Sequence, residues 1–200
     1  MLDTSIYPEI DLNTYQKEMK LKDGTKVLFR PMVAEDQDAL YEFFKSVSKE
    51  EARYLRDDVR SRLVVEKWAK HLDYRKTLPI LALKDDLIIA DATINRRSFG
   101  WKWHLGTVRI FVHKDYRDAG LESLMLHELS RIAYKLGIEK LIAEIPEVKE
   151  STLISFKKAG FFVEASIPNL VKDRENMPVD LVVMMKDIKP AHDEAYEYNF

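Results

Sequence analysis

Cysteine is absent from the 200 residues. That excludes disulfides, thiolate metal sites and a cysteine nucleophile, and leaves the compartment weakly determined. Histidine is sparse: five residues, at 71, 104, 113, 127 and 192. None falls into a pair such as H-E-x-x-H, so no metal site is expected. No apolar run is long enough to span a membrane, and no secretory h-region stands near the N-terminus. A soluble cytoplasmic protein with no membrane partner is expected. Net charge is only −2, which argues against a nucleic-acid partner. Repeats, Gly/Ser linkers and low-complexity tracts are also missing. What is present is 46% hydrophobic and 33% charged residues, the balance of one globular domain with a sizeable core.

The most informative stretch spans 107–136. Residues 107–112 are β-branched and aromatic, as in a buried strand. Leu121, Met125, Leu129, Ile132 and Leu136 then recur at helical spacing. Between them lies Arg117-Asp-Ala-Gly120-Leu-Glu122. A strand that turns through glycine into a helix start is a ready anion site, because the first helical N–H groups lack internal partners and the dipole favours negative charge there. Gly120 admits a close backbone approach, and Arg117 adds a cation.

Elsewhere the pattern reads in order. Residues 1–19 form a polar arm that Tyr7 and Tyr15 pin to the surface. Asp23-Gly24 between alternating runs predicts a two-residue hairpin turn, and Pro31 ends the second strand. Helices are expected over 36–45, 50–57 and 64–72, the second opened by a capping box of Ser48 and Glu51. Strands are expected at 80–83 and 87–95, with Asp85-Asp86 as the turn. An aromatic loop over 96–104 leads to the central strand. Gly137 caps the long helix. A strand follows at 140–145, a helix at 150–159, and strands at 161–167 and 179–185. The tail over 189–200 is polar. This order predicts an α+β domain over 20–188, a mixed sheet with one central βαβ crossover and helices on both faces. The strands at 107–112 and 140–145 should be parallel neighbours that splay at their C-terminal ends.

The segment V-H-K-D-Y-R-D-A-G-L-E resembles the acyl-CoA pyrophosphate loop of the GNAT N-acetyltransferase superfamily, V-x-x-x-x-[RQ]-x-x-G-x-[GA]. It matches at Val112, Arg117 and Gly120, and departs at Glu122. Gly24, Arg30, Pro31, Glu35, Asp36, Phe44, Ser48 and Arg56 resemble the protein-lysine acetyltransferase branch, some members of which are fused to acyl-CoA-synthetase-like domains. Ala143-Glu144, Lys158-Ala-Gly160-Phe161, and Asp180 with Met184 and Lys186 resemble later parts of the same pattern. The resemblance covers residues 20–188 and implies a GNAT-like fold with acetyl-CoA or another acyl-CoA as co-substrate.

It also implies roles. Arg117, Asp118, Ala119, Gly120, Leu121 and Glu122 would form the pyrophosphate cradle, and the N–H of Phe111 or Val112 would polarise the thioester carbonyl. The Glu that serves the lysine-acetylating branch as base falls on Thr107, the usual Tyr acid on Phe156, and the usual Asn on Lys149. Substitutes for the base are Glu144, beside the central strand, and His113 at its end. Trp101, Trp103 and His104 would line an acceptor groove, a partner interface or a structural hairpin. Arg96-Arg97 and Lys157-Lys158 would meet CoA phosphates or solvent. The function expected is a CoA-dependent N-acyltransferase acting on a small-molecule amine or a protein lysine. The alternative is a degenerate, non-catalytic GNAT module that senses acyl-CoA or binds a partner. A homodimer is left open.

Overall fold

The computed structural model describes residues 10–48, 51, 57–117, 119–173 and 175–188. Most of the helix expected over 50–57, residues 1–9 of the arm, and the whole tail over 189–200 lie outside them. Eight strands form one sheet in the order β1-β2-β3-β4-β5-β6-β8-β7. They are β1 (Lys17–Lys20), β2 (Lys26–Pro31), β3 (Thr77–Lys84), β4 (Leu87–Arg96), β5 (Leu105–Val112), β6 (Lys140–Pro146), β7 (Phe162–Lys172) and β8 (Pro178–Asp187). Helices α1 (Gln37–Lys45) and α2 (Arg62–Lys70) precede β3; α3 (Leu121–Lys135) joins β5 to β6, and α4 (Glu150–Lys158) joins β6 to β7.

The helices cover both faces. One core gathers α3 and α4 against Leu78, Ile80, Ala90, Ala92, Ile94, Val108 and Val112. The other gathers Leu40, Phe43, Phe44 and Val65 against Leu81, Leu83 and Ile88. Central strands buried on both sides explain the continuous apolar runs of β3 and β4. β3 starts at Thr77, earlier than its apolar run alone suggests. β7 extends to Lys172 because a register shift between Ile167 and Val171, with Asn169 at φ +55°, lets pairing resume.

The first hairpin differs from expectation. Gly24 N–H donates to Leu21 O at 3.0 Å and Leu21 N–H to Thr25 O at 2.8 Å. Only Gly24 (φ +86°) in this loop is left-handed, so the turn has three residues, Lys22 to Gly24, and glycine supplies the bulge. The two-residue turn occurs instead at Asp85 and Asp86, both left-handed at φ +48° and +64°. Ser48 and Glu51 do make the reciprocal capping pair, at 3.1 and 3.4 Å. The Arg30-Pro31…Glu35-Asp36 signature has a structural reason: Arg30 clamps Asp36 with two bonds of 2.6 and 2.7 Å, and Asp36 also accepts Val33 N–H at 2.8 Å.

Between β5 and β6 the parallel ladder has three register pairs, Leu105↔Lys140, Gly106↔Leu141 and Thr107↔Ile142. Past Thr107 the strands part, as the βαβ order predicts. Gly106 makes the close approach possible. A methyl there would come 2.9 Å from Leu141 Cδ2, 3.1 Å from Ile94 Cγ2 and 3.2 Å from Ile138 Cδ1, all on side chains packed in the core. Gly106→Ala should therefore cost about 1–3 kcal/mol by overpacking, seen as a lower denaturation midpoint at unchanged m-value.

Candidate active site

Strand parity on β5 decides what faces the opening. His113 N–H donates to Ile89 O at 2.8 Å, and His104 O accepts from Glu139 N–H at 2.9 Å. Backbone groups alternate sides along a strand, so odd-numbered residues of β5 turn toward β4 and even-numbered ones toward β6. Past Thr107, the N–H groups of Ile110 and Val112 thus face the gap. The Val112 amide is therefore turned to the gap. Phe111 is not: it pairs with Asp91 across β4. Side chains alternate too. Val108, Ile110 and Val112 pack with α3, whereas Phe111 packs toward α1 and α2, and Thr107 and Arg109 share its parity.

The gap opens into a cleft of about 1260 Å³, lined from both faces of the sheet. At its α3 end the chain leaves β5 through a short 3-10 turn, Lys114–Tyr116, and reaches Gly120, the N-cap of α3 at φ +82°. The first intrahelical bond runs from Leu124 N–H to Gly120 O at 3.1 Å. The amides from Gly120 to Ser123 precede that bond, the position at which a helix start can receive an anion. Gly120, Glu122 and Ser123 line the cleft; Leu121 turns its side chain into the core, 1% exposed, and Ala119 packs against that core. Asp118 lies outside the described residues. Lys22, from the β1–β2 turn, also lines the cleft; its Cε would stand 3.2 Å from a methyl on Gly120.

Arg117 is held on two sides. Its Nε donates to Val112 O at 3.2 Å, and its Nη2 pairs with Glu51 Oε1 at 2.5 Å. Burial pushes the Glu51 carboxyl up, but the Arg117 hydrogen bond and charge outweigh it and hold it below the usual value. The cradle thus already has two carboxylates, Glu51 and Glu122, on the cleft.

Against this geometry, no family model matches the chain, and no curated protein matches it. Solved structures do: 387 chains match. An acetyltransferase of the GNAT family from Streptococcus pneumoniae is 24% identical, with TM-score 0.71 over 81% of this chain and 99% of its own. The GNAT domain of PAT from S. lividans is 19% identical, TM-score 0.73, over 86% and 96%. The Salmonella typhimurium protein yncA, solved with acetyl-CoA, is 17% identical, TM-score 0.70, over 85% and 98%. The fold is the GNAT fold.

Within the GNAT fold, the predicted residues separate. Glu144 is exposed on β6 and lines the cleft; Lys149, the N-cap of α4, and Thr107 line it too. His113 does not line it. Its Nδ1 accepts from Asp115 N–H at 3.3 Å, and its ring packs near Phe43 and Tyr116. Phe156 is core, 1% exposed and edge-on to Phe161. Trp101, Trp103 and His104 form the β4–β5 turn, away from the cleft, with Trp103 edge-on to His104. Arg96 reaches the carbonyls of Leu136 and Tyr74. Lys186 donates to Ala159 O at 2.7 Å, which ties β8 to the end of α4.

Sequence reading passed over one group on the cleft: Asp91, Thr93, Arg109 and Asp57. Thr93 Oγ1 donates to Asp91 Oδ1 at 3.3 Å, and Arg109 Nη1 pairs with Asp57 Oδ2 at 2.8 Å. Burial pushes the Asp91 carboxyl up to about 6, against the pull of Arg109 and Thr93. The signal in the sequence was a lone aspartate inside the apolar run L-I-I-A-D-A-T-I. Among the described residues, no group of three or more His, Asp or Glu could hold a metal ion, and no helix is long and apolar enough to cross a membrane.

Proposed function

We propose that this chain is an acyl-CoA-dependent N-acyltransferase, with acetyl-CoA as donor and a primary amine, on a small molecule or a protein lysine, as acceptor. The observation that carries this reading is the early end of the β5–β6 ladder beside the α3 start. It leaves N–H groups of Ile110 and Val112 turned to a gap that ends in an anion cradle. Phosphates fit the helix amides, with Arg117 and Lys22 as nearby cations. The thioester carbonyl fits the Val112 N–H, which would stabilise the oxyanion as the amine attacks.

The acceptor must lose a proton. A lysine amine has a pKa near 10.4, so only about one in 10³ is neutral at pH 7. Thr107 supplies no base at that pH. Glu144, exposed on the splayed edge, suits the earlier task of drawing in a cationic acceptor. At about 4 Å in water that attraction is worth about 1 kcal/mol. Glu144→Gln should therefore raise the acceptor KM by about 5-fold and leave kcat within about 2-fold; initial rates at varied acceptor check it.

The test of the whole reading is direct. Titration calorimetry with acetyl-CoA should give saturable binding, and incubation with acetyl-CoA and an Nα-blocked lysine peptide should release CoA thiol and acetylate the amine. One observation favours a second reading, a non-catalytic acyl-CoA sensor: Arg117 is already paired with Glu51. Saturable binding with no transfer to any amine would select it.

A further inference from the structure

β4 turns Ala90, Ala92 and Ile94 into the α3 core, all fully buried. Its other face should by the same logic be apolar under α1 and α2. Instead it carries Asp91 and Thr93. Asp91 sits opposite Leu81 on β3 and Phe111 on β5, and Thr93 sits opposite Arg109. A carboxyl in mid-sheet needs donors, and among the described residues Asp91 has only Thr93 Oγ1, at 3.3 and 3.5 Å to its two oxygens. Arg109, the cation nearest in register, gives its Nη1 to Asp57, and its buried Nε has no partner among the described residues. To the same cleft α2 brings Lys67, its C-cap His71 and the following Asp73, while β3 presents Pro79 and Thr77. Asp91 is therefore a poorly served acceptor on the floor of a cleft whose central strand lacks a carboxylate.

We propose that Asp91 is the general base of acyl transfer, accepting the proton of the acceptor ammonium as it enters beside β5. The proposal rests on the N-acyltransferase reading above. The ammonium gives one proton to the Asp91 carboxylate. The freed lone pair forms the N–C bond to the thioester carbon, the C–S bond breaks as the tetrahedral oxyanion collapses, and the leaving thiolate takes the second amine proton. Asp91 returns its proton to water. The products are amide, CoA thiol and one released proton. A base titrating near 6 suits this work close to neutrality. Exposed Glu144 recruits, and half-buried Asp91 deprotonates, a division set by two environments.

The experiment measures acetyl transfer from acetyl-CoA to Nα-acetyl-lysine amide, an alanine-leading peptide and spermidine, from pH 5 to 9. The variants are Asp91→Asn and Arg109→Gln, with melting temperatures recorded for each. For the wild type, kcat should climb through a limb near pH 6. Asp91→Asn should lower kcat by about 10²-fold or more, remove that limb and leave KM within about 3-fold. Arg109→Gln keeps the carboxylate but removes the cation, so the limb should move to higher pH; this variant answers the question even if Asp91→Asn does not fold. Asp91→Asn within 3-fold of wild type, or a limb unmoved by Arg109→Gln, overturns the assignment while the acyltransferase reading stands. A wild type that binds acetyl-CoA yet acetylates none of the three amines overturns both.

Discussion

Glu122→Ala should tighten acetyl-CoA binding by about 5- to 150-fold, equivalent to about 1–3 kcal/mol. Glu122 sits in the first turn of α3 and lines the cleft with Gly120. The helix dipole favours a carboxylate there, and that is the difficulty: it would compete with a pyrophosphate for the same helix start. Repulsion at about 4 Å costs near 1 kcal/mol in water and about 4 at an effective dielectric of 20. Removing it also clears the helix amides. Glycine would clear more room, but at an interior helical position costs about 1 kcal/mol, so alanine should fold better. Glutamine separates charge from bulk. Calorimetric titrations of wild type, Ala, Gly and Gln forms at two salt concentrations decide it, the charge part shrinking as salt rises. Wild-type binding already at low micromolar Kd, with no gain in any variant, would place the Glu122 carboxylate away from the phosphates.

Glu128→Gln should destabilise the fold by about 3 kcal/mol, a fall of roughly 6–12 °C in Tm for a chain of this size. The Glu128 side chain is 2% exposed and accepts from Tyr15 Oη, from Lys17 Nζ at 2.6 Å and from Arg131 Nη2 at 2.7 Å. Removing its charge strands two cations at the edge of the core. Both keep about a third of their side-chain surface in water, 33% and 35%, which holds the effect to the lower end of the buried-pair range. Burial raises the Glu128 pKa, but bonds from Arg131, Lys17 and Tyr15 outweigh it, and the net shift is downward. A depressed folded pKa means that the contribution is complete above the ordinary value of 4.5 and fades as pH falls through the lower folded value. Denaturant midpoints of wild type and variant should therefore converge in acid below about 4.5; a gap constant down to pH 3 would rule out this origin.

The fold was legible wherever a local period carried it. β5, its turn and α3 follow from a switch between strand and helix spacing, and the splay follows from βαβ order. The first hairpin was misjudged because Asp-Gly fits two turn types, and only backbone dihedrals tell which residue is left-handed. The candidate site was legible along the chain but not across it. Arg117 and Gly120 are read from one loop, whereas Glu51 meets Arg117 from a distant segment. Asp91 gains its environment from the β4–β5 register, which periodicity does not reveal. His113 seemed near the cradle by position, yet its ring packs beside Phe43 and Tyr116. Trp101 and Trp103 are a full strand away, about 26 Å at 3.3 Å per residue.

Six of the seven strand pairings in the sheet run over four or more residue pairs, while β5 and β6 share three. In backbone pairing, then, the sheet is two panels, β1–β5 and β6–β8, joined by a short ladder and by one apolar core packed across both. A donor molecule lying along that edge would act as a suture, bonding to both panels at once. Its binding energy would then appear as added stability of the folded chain.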